Sequence, residues 1–218
     1  MSRAKFRLPE SARTFDYEDK YLNAFRGLIY HPLYGFFFKH RFLMVDRLLK
    51  QNYEKALEVG FGPGLLIPAL AKKCGIIYGI DSHDRATKTK ELLREEGIPK
   101  FHLLRADACD MPFKEKTFDL VICQSVLEHL PEPYRAIEEI ARVLKTGATA
   151  VICFPVKNRI TKLLFSILGC NDNEIHPSGH EEILENTKNY FDLATKSFYP
   201  GILKENHSIY FAGEFIKK

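Results

Sequence analysis

The chain has 218 residues, of which 45% are hydrophobic and 28% are charged, and its formal net charge is +4. This composition is typical of an ordinary soluble globular protein and is large enough for one α/β domain with a small additional segment. The mild charge, without a long Lys/Arg block, gives no strong nucleic-acid signal, and no apolar run approaches the roughly 18 residues of a membrane span.

The first fifty residues are dense in aromatic side chains. We interpret residues 1–50 as a helical, aromatic-rich segment ahead of a domain over 51–218, with a helix over 42–50. The segment is either a lid over the active site, offering apolar surface to a substrate or a lipid interface, or a helix packed on a sheet edge. Packing on a sheet edge is favoured for most of these residues, because aromatic stripes usually belong to a core. Residues 30–35 interrupt the segment and could still face the pocket. The aromatic positions are Tyr17, Tyr21, Phe25, Tyr30, Tyr34, Phe36, Phe37, Phe38 and Phe42.

A short apolar run over residues 55–59 is followed by alternating glycines and then by a second apolar stretch. This order predicts a strand, a glycine-rich turn over residues 60–64, and a helix over 64–73. Alternating glycines let the backbone turn sharply and let a ligand approach without meeting a Cβ atom. The free N–H groups at the start of the helix would point at that ligand, and Pro68 suits the first helical turn.

The glycine spacing differs from that of a dinucleotide-binding turn. The pattern G-x-G-x-x-G needs its third glycine at position 65, which is Leu65, whereas Gly64 comes one residue early. The pattern is instead an acidic residue, Glu58, followed by x-G-x-G-x-G. A carboxylate here repels a pyrophosphate and suits a positively charged ligand, such as S-adenosylmethionine with its ammonium and sulfonium. The loop resembles that of class I S-adenosylmethionine-dependent methyltransferases; a merely structural glycine-rich turn is the alternative.

Strand-like and helix-like segments alternate along the middle of the chain, which predicts an α/β fold with a parallel sheet and helices on both faces. Residues 192–199 and 207–216 predict two strands joined closely enough to be antiparallel. The resemblance implies a Rossmann-like, seven-stranded, mostly parallel sheet with an antiparallel last strand. The other predicted strands are 75–81, 100–105, 117–123 and 148–154, the helices are 84–96 and 134–144, and a turn is expected at 145–147. We expect the first of these helices to begin at a Ser82 or Asp84 cap and to end at Gly97.

The resemblance assigns cofactor contacts to residues at the carboxyl ends of the predicted strands. Asp81 would accept both ribose hydroxyls, with capping of the next helix as the alternative role. Asp107 and Ala108 would meet the amino group and a ring nitrogen of the adenine, unless their loop is only a solvated turn. Gln124 would lie beside the methionine portion of the cofactor. The predicted cofactor-binding set is Glu58, Gly60, Phe61, Gly62, Gly64, Asp81, Ser82, Asp107, Ala108 and Gln124.

Three histidines are candidates for catalysis. His129 lies in an apolar-Glu-His-apolar string that is common in the resembled family; it would serve as a base or as a structural part of the pocket wall. His176 and His180 follow the fifth strand, in a region that faces the methyl-transfer site in the resembled fold, and are candidates for substrate contact or general base. The alternative there is a helix start, in which Ser178 and Glu181 form a capping box.

The five cysteines are widely spaced and form no C-x-x-C pair, so they predict neither a disulfide framework nor a zinc site. Cys170 lies near His176 and His180 in sequence, but this spacing matches no standard zinc pattern, and no metal is predicted. A reducing, cytoplasmic setting is expected, and residues 1–6 lack the apolar stretch of a signal peptide.

These features predict an S-adenosylmethionine-dependent methyltransferase that acts on a small molecule or a lipid- or quinone-like acceptor by in-line transfer. Signatures of other acceptor classes are missing: no Asn-Pro-Pro-aromatic string or Pro-Cys pair follows the fourth strand, and residues 155–158 supply no carboxylates for a magnesium-dependent catechol type. Two alternatives remain open, a catalytically inactive S-adenosylmethionine-binding subunit and an NAD(P)-dependent oxidoreductase on a similar sheet.

Overall fold

The computed structural model describes residues 6–32, 35–50, 52–167, 176–203 and 205–218. The chain divides into two compact units, Met1–Asp107 and Ala108–Lys218. The predicted fold class is confirmed: the structure has a seven-stranded, mostly parallel sheet whose last strand runs antiparallel to its neighbours, with helices between the strands. Tyr34 and Cys170, which the sequence singled out, lie outside the described residues.

The first unit is built on three parallel strands, β1 (Tyr53–Val59), β2 (Cys74–Asp81) and β3 (Phe101–Arg105), in the spatial order β3-β2-β1. Their bounds agree closely with the predicted strands. The last four residues of β1 are all buried, as expected for a strand covered on both faces. Because the three strands are parallel, their carboxyl ends meet at one edge, where the glycine loop follows β1.

The described helices of the first unit are α1 (Lys20–Tyr30), α2 (Gly35–Leu48), α3 (Ile67–Leu70) and α4 (Ala86–Glu95). The helix predicted over residues 42–50 begins earlier, at Gly35, whose N–H donates to the carbonyl of His31 at 2.8 Å. A Cβ atom at Gly35 would lie 2.4 Å from the carbonyl oxygen of Ile29. The absence of a side chain therefore lets α2 begin in direct contact with the end of α1.

The helix expected over residues 64–73 is only the short α3. Gly64 has a positive φ of 74° and stays outside the helix, and Lys73 N–H donates to the carbonyl of Leu70 at 2.8 Å. This i to i+3 bond closes a turn in place of a further α-helical turn. Pro68 lies at the start of α3, as predicted.

The start of α4 also differs from the prediction. Arg85 occupies its N-cap position and no side chain caps the helix, so neither Ser82 nor Asp84 has the expected capping role. The helix ends as predicted at Gly97, which has a φ of 69° and donates its N–H to the carbonyl of Arg94 at 2.9 Å. A glycine in this left-handed conformation is a common end of a helix.

The second unit contains β4 (Phe118–Gln124), β5 (Leu144–Pro155), β6 (Phe191–Tyr199) and β7 (Tyr210–Lys217), in the order β4-β5-β7-β6. β4 and β5 are parallel. β7 lies between β5 and β6 and is antiparallel to both. The antiparallel hairpin predicted from the last part of the sequence is therefore confirmed.

The turn predicted at residues 145–147 belongs instead to β5. Pairing with β4 jumps from Leu144 to Thr149 on this strand, although the partners on β4, Phe118 and Leu120, are only two residues apart. The residues between them bulge out of the ladder, and Gly147 takes a φ of 73° there. Because β5 pairs with β4 both before and after the bulge, residues 145–147 become part of the strand although their composition is typical of a turn.

The described helices of the second unit are α5 (Pro133–Val143), α6 (Arg159–Ile167) and α7 (His180–Thr187). The apolar residues of α5 recur three and four positions apart and form one face of the helix, where Ile137, Ile140 and Ala141 are all buried. Across the part of the chain that the structure describes, no helix is both long and apolar enough to cross a membrane.

The helix start considered as the alternative role for residues 178–181 is present, but its capping box is not formed. Gly179 is the N-cap residue and no side chain caps the helix. The hydroxyl of Ser178 donates instead to the carbonyl of Leu130 at 2.6 Å, and the N–H of Ser178 donates to the carbonyl of Glu128 at 3.4 Å. Ser178 therefore joins the segment before α7 to the segment after β4.

Candidate functional site

The loop after β1 turns sharply and is joined to β2 by the Gly60 N–H, which donates to the carbonyl of Ile80 at 2.8 Å. Gly62 and Gly64 have φ angles of 48° and 74°, which strain any residue with a side chain. A Cβ atom at Gly64 would lie 2.6 Å from the side-chain methyl of Thr89 in α4, whereas one at Gly62 would meet no atom within 4 Å. Gly64 therefore packs the loop on α4, and Gly62 leaves open space beside it.

The carboxylate of Asp81, at the end of β2, holds this loop. One oxygen accepts the Gly62 N–H at 2.8 Å, and the other accepts the His83 N–H at 3.3 Å. The ring Nε2 of His83 lies 3.2 Å from the carbonyl oxygen of Gly62. A carboxylate offers about four lone-pair positions, so Asp81 retains capacity for the predicted ribose hydroxyls. Sequence reasoning missed His83; its place two residues after a strand-end carboxylate was the available signal.

The side chain of Glu58 lies near the end of β1 and is only 4% exposed. Burial, and then the charge of Asp81, raise the pKa of this carboxyl well above its usual range. Its Oε2 atom has no hydrogen-bond partner among the described residues. A buried carboxyl oxygen without a donor costs free energy, and a ligand that brings a donor or a positive charge offsets that cost. The site therefore fits the cationic ligand indicated by the sequence.

Phe61 and Ser82 lie beside the same strand ends. Phe61 is buried, with its ring edge-on to the ring of His83 at a centroid distance of 5.0 Å. Ser82 is exposed, and its carbonyl accepts a hydrogen bond from Nε of Arg105 at 3.0 Å. Phe61 thus supports the loop from within, whereas Ser82 contributes a backbone group that links the ends of β2 and β3.

Asp107 is exposed and follows β3 by two residues. The preceding Ala106 donates its N–H to the carbonyl of Asp81 at 2.9 Å. This bond places the start of the loop after β3 next to the end of β2. Asp107 and Asp81 are therefore brought to the same edge of the first unit, as the sequence predicts.

The residues before α1 also contact the glycine loop. Tyr17 is fully buried, and its hydroxyl donates to the carbonyl of Pro63 at 2.9 Å. Burial raises the pKa of this phenol. The neighbouring Glu18 pairs with Lys88 of α4 at 2.8 Å. The aromatic density of the first fifty residues was the signal for a packed segment, but not for contact with this loop.

In the second unit, Gln124 is the last residue of β4, and its Nε2 is a buried atom with no hydrogen-bond partner in the described residues. The next residue, Ser125, has a φ of 57°. Its N–H donates to the carbonyl of Cys153 at 2.8 Å, and its hydroxyl lies 2.7 Å from that of Tyr210. These bonds fix an uncommon backbone conformation directly after Gln124. Ala108, at the start of this unit, is half-buried.

The structure brings His129 and His176 together, with ring centroids 5.0 Å apart. His176 is 6% exposed, whereas the side chain of His129 is 50% exposed. His180 is engaged differently, because its Nδ1 accepts the N–H of Lys157 at 3.1 Å. Burial lowers the pKa of His180. The sequence named His176 and His180 as candidates in the same loop, and the fold brings the ring of His176 against that of His129.

One known protein family matches the part of the chain that contains these strand ends. Residues 57–152 match the family model described as a methyltransferase domain. This region of the chain is therefore similar to methyltransferases. The match runs from β1 into β5, so it includes all ten residues predicted to bind the cofactor, and it also includes His129.

Curated relatives of the methyltransferase domain include two enzymes from bacteria. A phosphatidylethanolamine N-methyltransferase of Cereibacter sphaeroides is 36% identical over 100 residues, which are 45% of this chain and 49% of the relative. A ubiquinone biosynthesis O-methyltransferase of Paracidovorax citrulli is 30% identical over 137 residues, which are 57% of this chain and 53% of the relative. The chain thus spans about half the length of the curated relatives it matches.

A solved structure shares the fold of the methyltransferase domain. The N-methyltransferase NodS of Bradyrhizobium japonicum, in complex with S-adenosyl-L-homocysteine, has a TM-score of 0.67 and 17% sequence identity. The alignment covers 91% of this chain and 99% of that chain. The likeness therefore extends well beyond the matched family region, at the level of the fold.

Proposed function

We propose that this chain transfers the methyl group of S-adenosylmethionine to a small molecule or to a lipid- or quinone-like acceptor. The observation that carries the proposal is the buried carboxyl of Glu58, whose Oε2 has no hydrogen-bond partner among the described residues, beside a glycine loop that leaves open space at Gly62. The acceptor class is supported by the names of the two curated relatives, one for phosphatidylethanolamine and one for ubiquinone biosynthesis. The catalytically inactive subunit remains the competing proposal, because binding a cofactor is not turnover.

Bound S-adenosylmethionine would supply an activated methyl group, and the chain would bind and orient it. In the first unit, Glu58 would accept a hydrogen bond from the cofactor and Asp81 would accept the ribose hydroxyls while holding the loop. Asp107 and Ala108 would contact the adenine. Gln124 would lie beside the methionine portion, where its buried Nε2 offers a donor. Support comes from the unsatisfied atoms of Glu58 and Gln124, which a polar ligand would satisfy.

Methyl transfer from a sulfonium is an in-line displacement, so alignment and exclusion of water are the main contributions of a protein. A hydroxyl acceptor also needs a base for its proton. With Nδ1 accepting the Lys157 N–H, the neutral ring of His180 carries its proton on Nε2 and cannot accept another there. We therefore propose His129 or His176 as the base and assign His180 a positioning role.

The test is methyl transfer by the purified chain. Labelled S-adenosylmethionine is incubated with vesicles containing phosphatidylethanolamine, and separately with phenolic quinone precursors, and transfer of label to each acceptor is measured. We expect transfer to one acceptor class and none by Asp81→Ala, which loses both the loop contact and the proposed ribose contact. Tight binding of S-adenosylhomocysteine without transfer to any acceptor would favour the inactive subunit.

The division into residues 1–50 and 51–218 is retained as a proposal. Its support is that the segment before α1 packs on the glycine loop through Tyr17, as an added segment on a cofactor-binding domain would. The cytoplasmic location stays a prediction.

A further inference from the structure

Two segments of the second unit bring three metal-binding side chains together. Glu128 and His129 lie on a short 3-10 helix directly after β4, and His176 precedes α7. One ligand atom from each of the three lies within 4.8 Å of the other two. Glu128 is 2% exposed and His176 is also buried, whereas His129 reaches solvent. An ion therefore has both a protected position and a route of entry.

Hydrogen bonds to the backbone hold these two segments against each other. The N–H of Ser178 donates to the carbonyl of Glu128 at 3.4 Å. The Nζ of Lys157 donates to the carbonyl of His176 at 3.1 Å, and the N–H of Lys157 donates to His180 Nδ1. The backbone is thus fixed at both buried members of the cluster. Such positioning of the ligand residues by their neighbours is a general feature of metal sites.

The donor set identifies the kind of ion. One carboxylate and two imidazoles suit Zn²⁺ and other divalent first-row transition metals, whereas Mg²⁺ and Ca²⁺ prefer oxygen ligands alone. A divalent ion here would place a positive charge beside the buried carboxylate of Glu128. We propose that Glu128, His129 and His176 form a binding site for a divalent transition-metal ion.

The distances allow the site to close around the ion. Zinc bonds of about 2.0–2.2 Å place tetrahedral ligand atoms roughly 3.4 Å apart. The Nε2 of His129 already lies 4.0 Å from a carboxylate oxygen of Glu128. Because the His129 side chain is half exposed, it has room to move its ligand atom towards the two buried ligands without disturbing the core.

Three protein ligands leave a coordination position open, as in catalytic zinc sites. That position would accept an oxygen atom of the methyl acceptor and would favour its deprotonated form, so a bound ion would take the place of the histidine base proposed above. This extension rests on the proposed function. The metal site itself does not, since binding of an ion requires neither cofactor nor acceptor.

The site is tested by isothermal titration of ZnCl₂ into the full chain, freed of any affinity tag and treated with a chelator. We expect one Zn²⁺ per chain for the wild type and at least tenfold weaker binding for Glu128→Gln and for His176→Asn. His129→Ala, at the exposed ligand, should weaken binding without disturbing the core. His207→Asn, at an exposed histidine elsewhere in the unit, is the matched control and should bind as the wild type does.

Circular dichroism establishes that each variant is folded, and His129→Ala keeps the test valid if the buried variants fail to fold. No zinc binding by the wild type, or wild-type binding by His129→Ala, would overturn the proposal. S-adenosylhomocysteine titrated into the same samples separates the two proposals. Zinc binding without S-adenosylhomocysteine binding would contradict the proposed function and leave the metal site standing, and the reverse result would do the opposite.

Discussion

At the scale of single residues, Glu58 of the first unit carries a buried carboxyl with a raised pKa. Burial and the charge of Asp81 raise the pKa of its carboxyl, so the ligand-free fold favours the neutral form. The pKa of Glu58 is higher in the folded protein than in the unfolded chain. As the pH rises from the pKa of the unfolded chain towards that of the folded protein, the unfolded chain loses this proton more readily, and the free energy of unfolding falls. A cationic ligand has the opposite preference, because it interacts best with the carboxylate.

This conflict predicts opposite effects of Glu58→Gln on stability and binding. The amide side chain of the variant would not titrate, so the stability of the variant relative to the wild type should increase between pH 5 and pH 8, as measured by urea denaturation. Its affinity for S-adenosylhomocysteine should fall at least tenfold, since a hydrogen bond to a charged group contributes about 1.5–3 kcal/mol. Glu54→Gln, at an exposed position of β1, should match the wild type in affinity. Parallel pH profiles for Glu58→Gln and wild type would contradict this account.

Two glycines with nearly the same φ angle allow a second prediction. Gly64 and Gly147 have φ angles of 74° and 73°, but only at Gly64 would an added Cβ atom meet another atom, the methyl of Thr89. Gly64→Ala should therefore cost about 1–3 kcal/mol more than Gly147→Ala in urea denaturation. Adding Thr89→Ser, which removes the clashing methyl, should restore part of the loss. An equal loss of unfolding free energy in Gly64→Ala and Gly147→Ala would show that backbone strain alone, and not the contact with Thr89, destabilises the Gly64 variant.

At the scale of elements, one buried hydrogen bond joins the segment before α1 to the glycine loop. The Tyr17 hydroxyl is bonded to the carbonyl of Pro63 inside the unit, whereas the Glu18–Lys88 pair is largely exposed on the Glu18 side. Surface ion pairs contribute little to stability. The position of the segment over the glycine loop therefore depends on Tyr17 more than on the charges beside it.

Tyr17→Phe tests this difference. It should lower the free energy of unfolding by about 1–3 kcal/mol, because the buried carbonyl of Pro63 loses its donor. Glu18→Gln, the neighbouring control, should change it by less than about 0.5 kcal/mol. Urea denaturation measures both. If Glu18→Gln proves the more costly variant, the segment is held by charge and not by the buried hydroxyl.

Element types were largely predictable, but their starts and partners were not. Apolar runs ending in polar residues located the strands, and the face of α5 followed from its periodicity. The start of α2 depends on the approach of Gly35 to the carbonyl of Ile29, and the inclusion of residues 145–147 in β5 depends on pairing across the sheet. The contact of His129 with His176 joins segments far apart along the chain. Tertiary contacts decide all three, and local sequence carries no trace of them.

At the scale of the whole molecule, the cofactor should stabilise the fold by mass action. A ligand that binds only the folded state adds about 2.7 kcal/mol at 100 times its Kd. We predict that S-adenosylhomocysteine raises the free energy of unfolding by this amount and that NAD does not, as measured by urea denaturation at matched concentrations. Stabilisation by NAD alone would support the oxidoreductase interpretation instead.

The placement of β7 between β5 and β6 has a consequence for synthesis on the ribosome. β6 is translated first, but its neighbour in the sheet is β7, so the edge of β6 waits unpaired until the later strand emerges. Exposed strand edges invite pairing with other chains. Nascent chains truncated before residue 210 and extended by a flexible linker that spans the exit tunnel should therefore be cut by protease within residues 191–199, and chains that include β7 ahead of the same linker should be protected there. Protection of the chain that lacks β7 would mean that β6 finds another partner first.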